Sequence, residues 1–389
     1  MKATSPEADP VCDDPGIERR ARIALAAVCE PGEAGLADLI DVQGPTATVA
    51  SLLAGRRTSV RVPRADAIGR RLAALDLDAL IDRGEEIGCR VVLPGDPQWP
   101  GRLADLGAHR PLALWSWGEA NPRLHALRSV ALVGARACTR YGEWVARDWA
   151  GHLASEQFSV ISGGAYGIDA AAHRGALAVD GVTICVVAGG VDVAYPRGHE
   201  GLFAEIVERG VILSEAPVGE TVRRRRFLTR NRLIAALARA TCVVEAAHRS
   251  GSVSTASYAA EMNRPVLAVP GPITSETSRG AHRLIQEGIA TVAADVGDLR
   301  DAVDGIFVCP GPGDAPDYIS ASMREVLDVL PSSRTSSVGL ALAEVAVRSG
   351  VRATAALGHL QSAQALGIVE QRTGGGWVFC AIAERHGRA

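Results

Sequence analysis

The sequence predicts an α/β chain: a Rossmann-like parallel sheet covered by helices, with a small helical domain before it and a winged-helix-like domain after it. Three observations carry that expectation. Apolar runs of strand length, VALVG, FSVISG, VTICVVAG, GVILSE, TCVVEA and PVLAVP, succeed one another from Ser129 onward, most of them trailed by an amphipathic stretch of helical length. Strands that are apolar on both faces and separated by helices belong to a parallel sheet buried on both sides. From Ile17 to about Arg90 the apolar spacing is helical instead, with turn signals at Pro31-Gly32, Gly44-Pro45 and Gly55. Beyond Asp304 a Pro/Gly hinge, CPGPGDAPD, leads into helical patterns that close on strand, glycine turn and strand, the outline of a winged helix.

Taken in order, residues 1–16 are rich in Pro and Asp and are expected to fray. Residues 17–90 form the helical domain, of sterile-alpha-motif or helix-hairpin-helix type. Within it DVQGPTATVASLLAG places two short helical patterns around a Gly-Pro turn, either a hairpin that touches a nucleic-acid backbone or a plain helical corner. Residues 91–305 form the Rossmann-like domain, opening with a connecting segment over 91–118 whose prolines suit an edge strand. A linker over 306–317 precedes the winged-helix-like domain, 318–389. Its presumed recognition helix, near Thr354 to Leu366, has no Lys or Arg. Basic side chains assist phosphate contact, so protein docking or a structural role is expected there.

Length and composition narrow the function classes. The 389 residues suit two or three domains, each able to bury a full core. A net charge of −3, with 47% hydrophobic and 22% charged residues, excludes a disordered chain or a uniformly basic coat, so any affinity for polyanions must be local. The cysteines (Cys12, Cys29, Cys89, Cys138, Cys185, Cys242, Cys309 and Cys380) contain no C-x-x-C pair, which fits neither a disulfide framework nor a zinc site. The N-terminus has no apolar signal core, and no apolar run approaches the roughly 18 residues needed to span a bilayer, so a cytoplasmic, membrane-free protein is expected. Lys2 is the only lysine, so a lone arginine says little here and only a cluster carries weight.

Ligands of a parallel α/β sheet bind beyond the carboxyl ends of its strands. The first such end reads Val133-Gly134-Ala135-Arg136, where a dinucleotide fold would show G-x-G-x-x-G. The arginine argues against a nicotinamide or flavin cofactor and leaves Arg136 free for a phosphate or a surface carboxylate. The second end runs Ser162-Gly163-Gly164-Ala165-Tyr166-Gly167-Ile168-Asp169 into a helix, a candidate phosphate cradle of backbone N–H groups or simply a tight turn. No Lys-Ser/Thr pair follows, so it is not a Walker loop. Asp169 in the first helical turn suits a cap better than a general base, and His173 suits packing.

The fourth strand end leads into Arg223-Arg224-Arg225-Arg226-Phe227-Leu228-Thr229-Arg230-Asn231-Arg232, six arginines in ten residues around one phenylalanine. Charge that tracks a backbone plus a flat ring for base stacking is what single-stranded nucleic acid requires. Other strand ends, Gly189 to Asp192, Glu245 with Arg249 to Ser252, and Gly271 with Ser278 to Gly280, are equally readable as turns. No nucleophile triad, metal-ligand spacing or isolated carboxylate pair stands out, so neither metal nor cofactor is expected.

At these residues the sequence resembles the DNA-processing protein A (DprA, or Smf) family of bacteria. The likeness covers about residues 93–290 and comprises V-G-A-R with Tyr141-Gly142, S-G-G-A-Y-G-I-D-A-A-A-H-R-G-A-L, A-G-G-V-D-V-A-Y-P, L-S-E, F-L-T-R-N-R-L-I-A, V-V-E-A with R-S-G-S, and V-P-G-P followed by S-R-G-A-H-R-L-I-Q-E-G-I-A, in one order. It implies a non-catalytic protein that binds single-stranded DNA, forms homodimers and loads the RecA recombinase during natural transformation or related repair. Carried over by position, Gly134, Arg136, the loop with Ser162, Gly163, Gly164 and Gly167, and Phe227 with Arg230, Asn231 and Arg232 would line the DNA pocket. Phe227 would stack a base and the arginines would bind phosphates. Gly164 and Tyr166 replace a leucine and an arginine usual in the family, Arg225-Arg226 replace Gly-Asn, and Leu228 replaces proline. The two extra arginines are expected to compensate for the missing one. The competing reading is a nucleotide or nucleoside-monophosphate hydrolase of the lysine-decarboxylase-like Rossmann group. That group should show P-G-G-x-G-T, where this chain has Pro270-Gly271-Pro272-Ile273-Thr274. A protein adaptor acting through the winged helix would leave the Arg/Phe cluster without a purpose.

Overall fold

The computed structural model describes residues 15–248, 250–304, 321–331, 338–365 and 368–379, in two compact units that divide between 299 and 300. Residues 1–14, Arg249 and the linker expected over 306–317 lie outside the described residues. Pro15 and Gly16, expected in the frayed tail, instead open the first helix, where the fixed φ of proline suits the first turn.

The helical segment comprises α1 (Pro15–Val28), α2 (Leu36–Gln43), α3 (Pro45–Leu53), α4 (Ala65–Ala73) and α5 (Leu77–Glu86). The Gly44-Pro45 turn separates α2 from α3 as its sequence suggests, with Gly44 at φ 80° and proline at the start of α3. Helix α1 serves two cores because its apolar residues occupy more than one stripe. Leu25 and Val28 join Leu36, Leu39, Leu52 and Ile68 in the helical cluster, whereas Ile23 and Ala26 pack with Trp115 and Ile212 of the sheet. This sharing makes the helices and the sheet one packed unit.

The sheet follows: β1 (Arg90–Val92), β2 (Leu114–Trp117), α6 (Pro122–Leu127), β3 (Ser129–Val133), α7 (Arg140–Ser155), β4 (Ser159–Ser162), α8 (Ile168–Leu177), β5 (Thr183–Val186), α9 (Glu200–Arg209), β6 (Val211–Ser214), α10 (Arg224–Leu237), β7 (Ala240–Val243), α11 (Gly251–Glu261), β8 (Val266–Ala268), α12 (Arg279–Gln286), β9 (Thr291–Val292) and α13 (Val296–Asp304). Among the described residues it has nine strands in the order β1-β2-β6-β5-β4-β3-β7-β8-β9. The strands expected from the apolar runs are β3 to β8, all parallel and all buried. Alternate residues feed opposite layers: Ile184 and Val186 of β5 face the cluster of α10, α11 and α12, and Cys185 faces that of α8 and α9. The segment over 91–118 does not end in an edge strand. Leu114–Trp117 is sandwiched between β6 and β1, both antiparallel to it, and the edge is Arg90–Val92. The strand order reverses at β3, which pairs with β4 on one side and β7 on the other, so the topological crevice opens above β3 and β7.

The second unit contains α14 (Ala321–Asp328), α15 (Leu342–Ser349), α16 (Ala353–Ala365) and an antiparallel pair, β10 (Val369–Gln371) and β11 (Trp377–Phe379). Val326, Val345, Ala356, Leu360, Ala363 and Trp377 form its core, and Leu340 bridges to Trp377.

Candidate functional site

Above β3 the chain is held by the neighbouring strand end: the Ala135 amide donates to the Glu245 carbonyl (2.7 Å), and the Ile168 amide donates to the Ala135 carbonyl (3.2 Å). Gly134 lies against Ile168 and Glu245, filled in from both sides. Gly167 sits at φ 77°, where a Cβ would stand 2.3 Å from the Ala135 oxygen and 2.5 Å from that of Arg136. Only glycine lets the two loops approach this closely. The contact fixes the backbone of Arg136 while its side chain stays exposed. Glu245, a carboxylate at the crevice, is occupied in capping α7, accepting from the Thr139 amide (2.8 Å) and hydroxyl (2.6 Å).

The glycine loop after β4 encloses an anion of its own. Asp169 is 7% exposed and accepts from the Ala165 amide (3.4 Å). Burial pushes its carboxyl up from the ordinary value, and the Arg230 charge opposes the push. The Ala165 amide, one of those expected to cradle an incoming phosphate, is therefore directed at an internal carboxylate. Ser162 is fully buried, with its hydroxyl donating to the Leu132 carbonyl (2.6 Å), and Gly164 packs under Cys185 and Phe203. His173 is a packing residue, as its sequence context suggests: it is buried and bonded through Nδ1 to the Thr183 hydroxyl (2.7 Å).

Helix α10 distributes the arginine cluster over several partners because successive residues point about 100° apart. Arg223 and Arg226 both reach Glu30, at the end of the α1 turn, at 3.0 Å, and both also meet Glu220. Burial raises the Glu30 carboxyl, but the two guanidiniums more than offset it and hold the group below its ordinary value. Arg232 forms a buried, two-pronged pair with Glu215 (2.6 and 2.7 Å). Arg230 is 6% exposed; it donates to the Gly163 carbonyl (2.6 Å), to the Val186 carbonyl and to Asn231 Oδ1 (3.2 Å). The amide of Asn231 is held by the Gly251 carbonyl (3.0 Å) and Ser254 hydroxyl (2.9 Å). In this structure Ser162, Arg230, Asn231 and Arg232 are thus buried framework bonded to protein partners, although only Nη2 of Arg232 is bonded and its buried Nε and Nη1 have no hydrogen-bond partner among the described residues. Arg226 likewise does not present the free charge expected of it, because it is 7% exposed and bound by two carboxylates. Arg224 and Arg225 remain exposed and outside these pairs.

What the structure does bring together at the mouth is Arg136 and Phe227. The Arg136 guanidinium carbon lies 4.8 Å from the ring centroid, a cation–π contact. Tyr195, from the loop after β5, sets its ring 5.4 Å from that of Phe227 at 53°. Tyr195 lies within the A-G-G-V-D-V-A-Y-P motif of the sequence but is assigned no role there.

The DNA recombination-mediator protein A family matches residues 90–304, from β1 through α13. The chain belongs to this family. A DprA relative from Mycobacterium tuberculosis is 41% identical over 373 residues, covering 91% of this chain and 93% of that protein. Smf of Escherichia coli is 40% identical over 56% of this chain and 57% of its own length. Among solved structures, DprA of Streptococcus pneumoniae superposes with a TM-score of 0.59 at 30% identity, over 73% of this chain and 95% of that one. DprA of Helicobacter pylori, described for its single-stranded DNA binding mode, superposes at 0.50 with 26% identity over 56% of this chain and 96% of that one. The family assignment and the sheet with its flanking helices agree with the resemblance found in the sequence.

Proposed function

We propose that this protein binds single-stranded DNA at the carboxyl-end mouth of the sheet and acts there as a non-catalytic recombination mediator. The observation that carries the reading is the Arg136–Phe227 pair, a cation resting on a half-buried ring at the crevice of a DprA-family fold. A ring stacks on unpaired bases of any identity, and a cation beside it neutralises the adjoining phosphate. The carboxylates nearest the crevice support a binding role over a chemical one, since Asp169 faces Arg230 and Glu245 caps a helix. In this reading the protein works as a homodimer in the cytoplasm and passes the coated strand to RecA, while residues 318–389 form a winged-helix-like accessory domain. Among the described residues no helix is long and apolar enough to cross a membrane.

The test is fluorescence-anisotropy titration of a labelled dT oligonucleotide and of a duplex, comparing wild type with Arg136→Ala and Phe227→Ala. The expected result is preference for the single strand, weakened in both variants. Binding indifferent to both substitutions refutes the site, and nucleotide turnover by the purified protein would restore the hydrolase reading.

A further inference from the structure

Aromatic residues make up 4% of this chain, so rings left in solvent are few and conspicuous. Two tyrosines with half their surface open, Tyr166 at 50% and Tyr195 at 47%, both lie in strand-end loops of the same mouth as Phe227. Tyr195 follows β5 and stands 5.4 Å from the Phe227 ring. Tyr166 follows β4 and meets the buried His199 edge-on, with centroids 4.6 Å apart and planes at 75°. Its hydroxyl lies 3.0 Å from where a Cβ of Gly198 would be, so the ring rests on the turn that begins just after Tyr195. That turn is tied to the glycine loop, because His199 Nδ1 is bonded to the Gly164 carbonyl (3.0 Å). Among the described residues neither tyrosine hydroxyl has a hydrogen-bond partner, so the rings are held by their neighbours' shape while a face of each stays available.

We propose that Tyr195 and Tyr166 are base-stacking residues that continue the surface begun by Phe227, so that the mouth receives a run of adjacent unpaired bases rather than a single one. The inference rests on the single-stranded DNA reading above and specifies how that site recognises its ligand. A base has two apolar faces that a duplex covers with its neighbours, so a run of open rings selects for strands whose bases are free. Arg136, now seated on Phe227, moves toward a phosphate or sandwiches the incoming base. Tyr166 stands where the family resemblance leads one to expect an arginine, so at this position the chain replaces charge with stacking area.

The experiment uses the full-length protein and two labelled oligonucleotides of equal length and charge, one of dT and one abasic, with wild type, Phe227→Ala, Tyr195→Ala, Tyr166→Ala and Tyr195→Phe, each checked for an unchanged melting midpoint. Each tyrosine-to-alanine change should weaken dT binding about tenfold, the range of one base–ring contact, while abasic binding and the salt slope stay as in wild type. Tyr195→Phe should restore what Tyr195→Ala loses. The proposal is overturned if both alanine variants bind dT within about twofold of wild type, or if dT and abasic binding fall together. Loss confined to Phe227→Ala removes the extended run and leaves the parent reading intact. A wild type that binds no single strand removes both.

Discussion

Arg230→Ala should damage the fold before it damages binding. The guanidinium ties the ends of β4 and β5 together through the Gly163 and Val186 carbonyls, and it is the cation opposed to the buried Asp169. Alanine leaves two buried carbonyls without a donor and one buried carboxylate without its counter-charge. A hydrogen bond from a charged donor contributes ~1.5–3 kcal/mol, and the more distant Asp169 charge adds a smaller term. These terms overlap, since they describe one side chain, and Asp169 can take up a proton to limit the loss. We expect about 3–5 kcal/mol in all, chiefly from the two carbonyl bonds, equivalent to a fall of the order of 10 °C in the melting midpoint of a unit this size. Five of the six tryptophans (Trp99, Trp115, Trp117, Trp144 and Trp149) lie in the first unit, so a tryptophan-fluorescence melt reports on it almost alone. Arg136→Ala, at an exposed position, should move that midpoint by no more than ~2 °C. If Arg230→Ala melts with wild type, the carbonyl ties do not carry load and Arg230 returns to the list of phosphate ligands.

Gly167→Ala forces a Cβ to within 2.3 Å of the Ala135 oxygen at a φ of 77°, so it should cost at least ~2 kcal/mol in urea unfolding and displace Arg136, seen as weaker binding of dT. Glu30→Gln removes the carboxylate shared by Arg223 and Arg226, and should raise amide exchange in α1 to α3 about fivefold with the strands unchanged, by mass spectrometry. His173 is pushed down from 6.5 to about 3, first by burial and then by the Arg230 charge. Its depressed folded value means that stability present above pH 6.5 is lost as pH falls toward 3, by up to ~1.4 kcal/mol per unit, and His173→Gln should shallow that part of the acid limb in urea midpoints.

The parallel strands were legible because burial on both faces leaves an unbroken apolar run, whereas β1 and β9 are too short to make one and exist by pairing with a neighbour. The motif order was legible too, and with it the mouth where Arg136 and Phe227 meet. What a linear reading could not supply was the pairing of charges. Glu30 lies 193 residues from Arg223, and Glu215 lies 17 from Arg232, so the arginine run looked open when much of it is neutralised. Arg226 and Arg230, four residues apart, do share a buried face of α10, a helical spacing hidden by the density of arginines around it. The same difficulty affected the glycine loop, whose amides look available for a phosphate until Asp169 is seen among them.

This partition fixes how salt should act on the complex. Seven arginines could be counted at the mouth from sequence, Arg136 and the six of the cluster, and if each neutralised a phosphate the slope of log K against log salt would be roughly −5 for single strands. Arg223, Arg226 and Arg232 are bound to carboxylates, and Arg230 serves carbonyls beside Asp169. Arg136, Arg224 and Arg225 remain, which lowers the expected slope to roughly −2. Ring stacking carries no counterion release, so an affinity that depends on Phe227 should persist at salt concentrations that strip a purely cationic binder. Titration of dT between low and physiological salt decides the matter. A slope steeper than roughly −4 would mean that binding pulls the buried arginines from their carboxylates, and the α1 turn carrying Glu30 would then have to move aside as DNA enters.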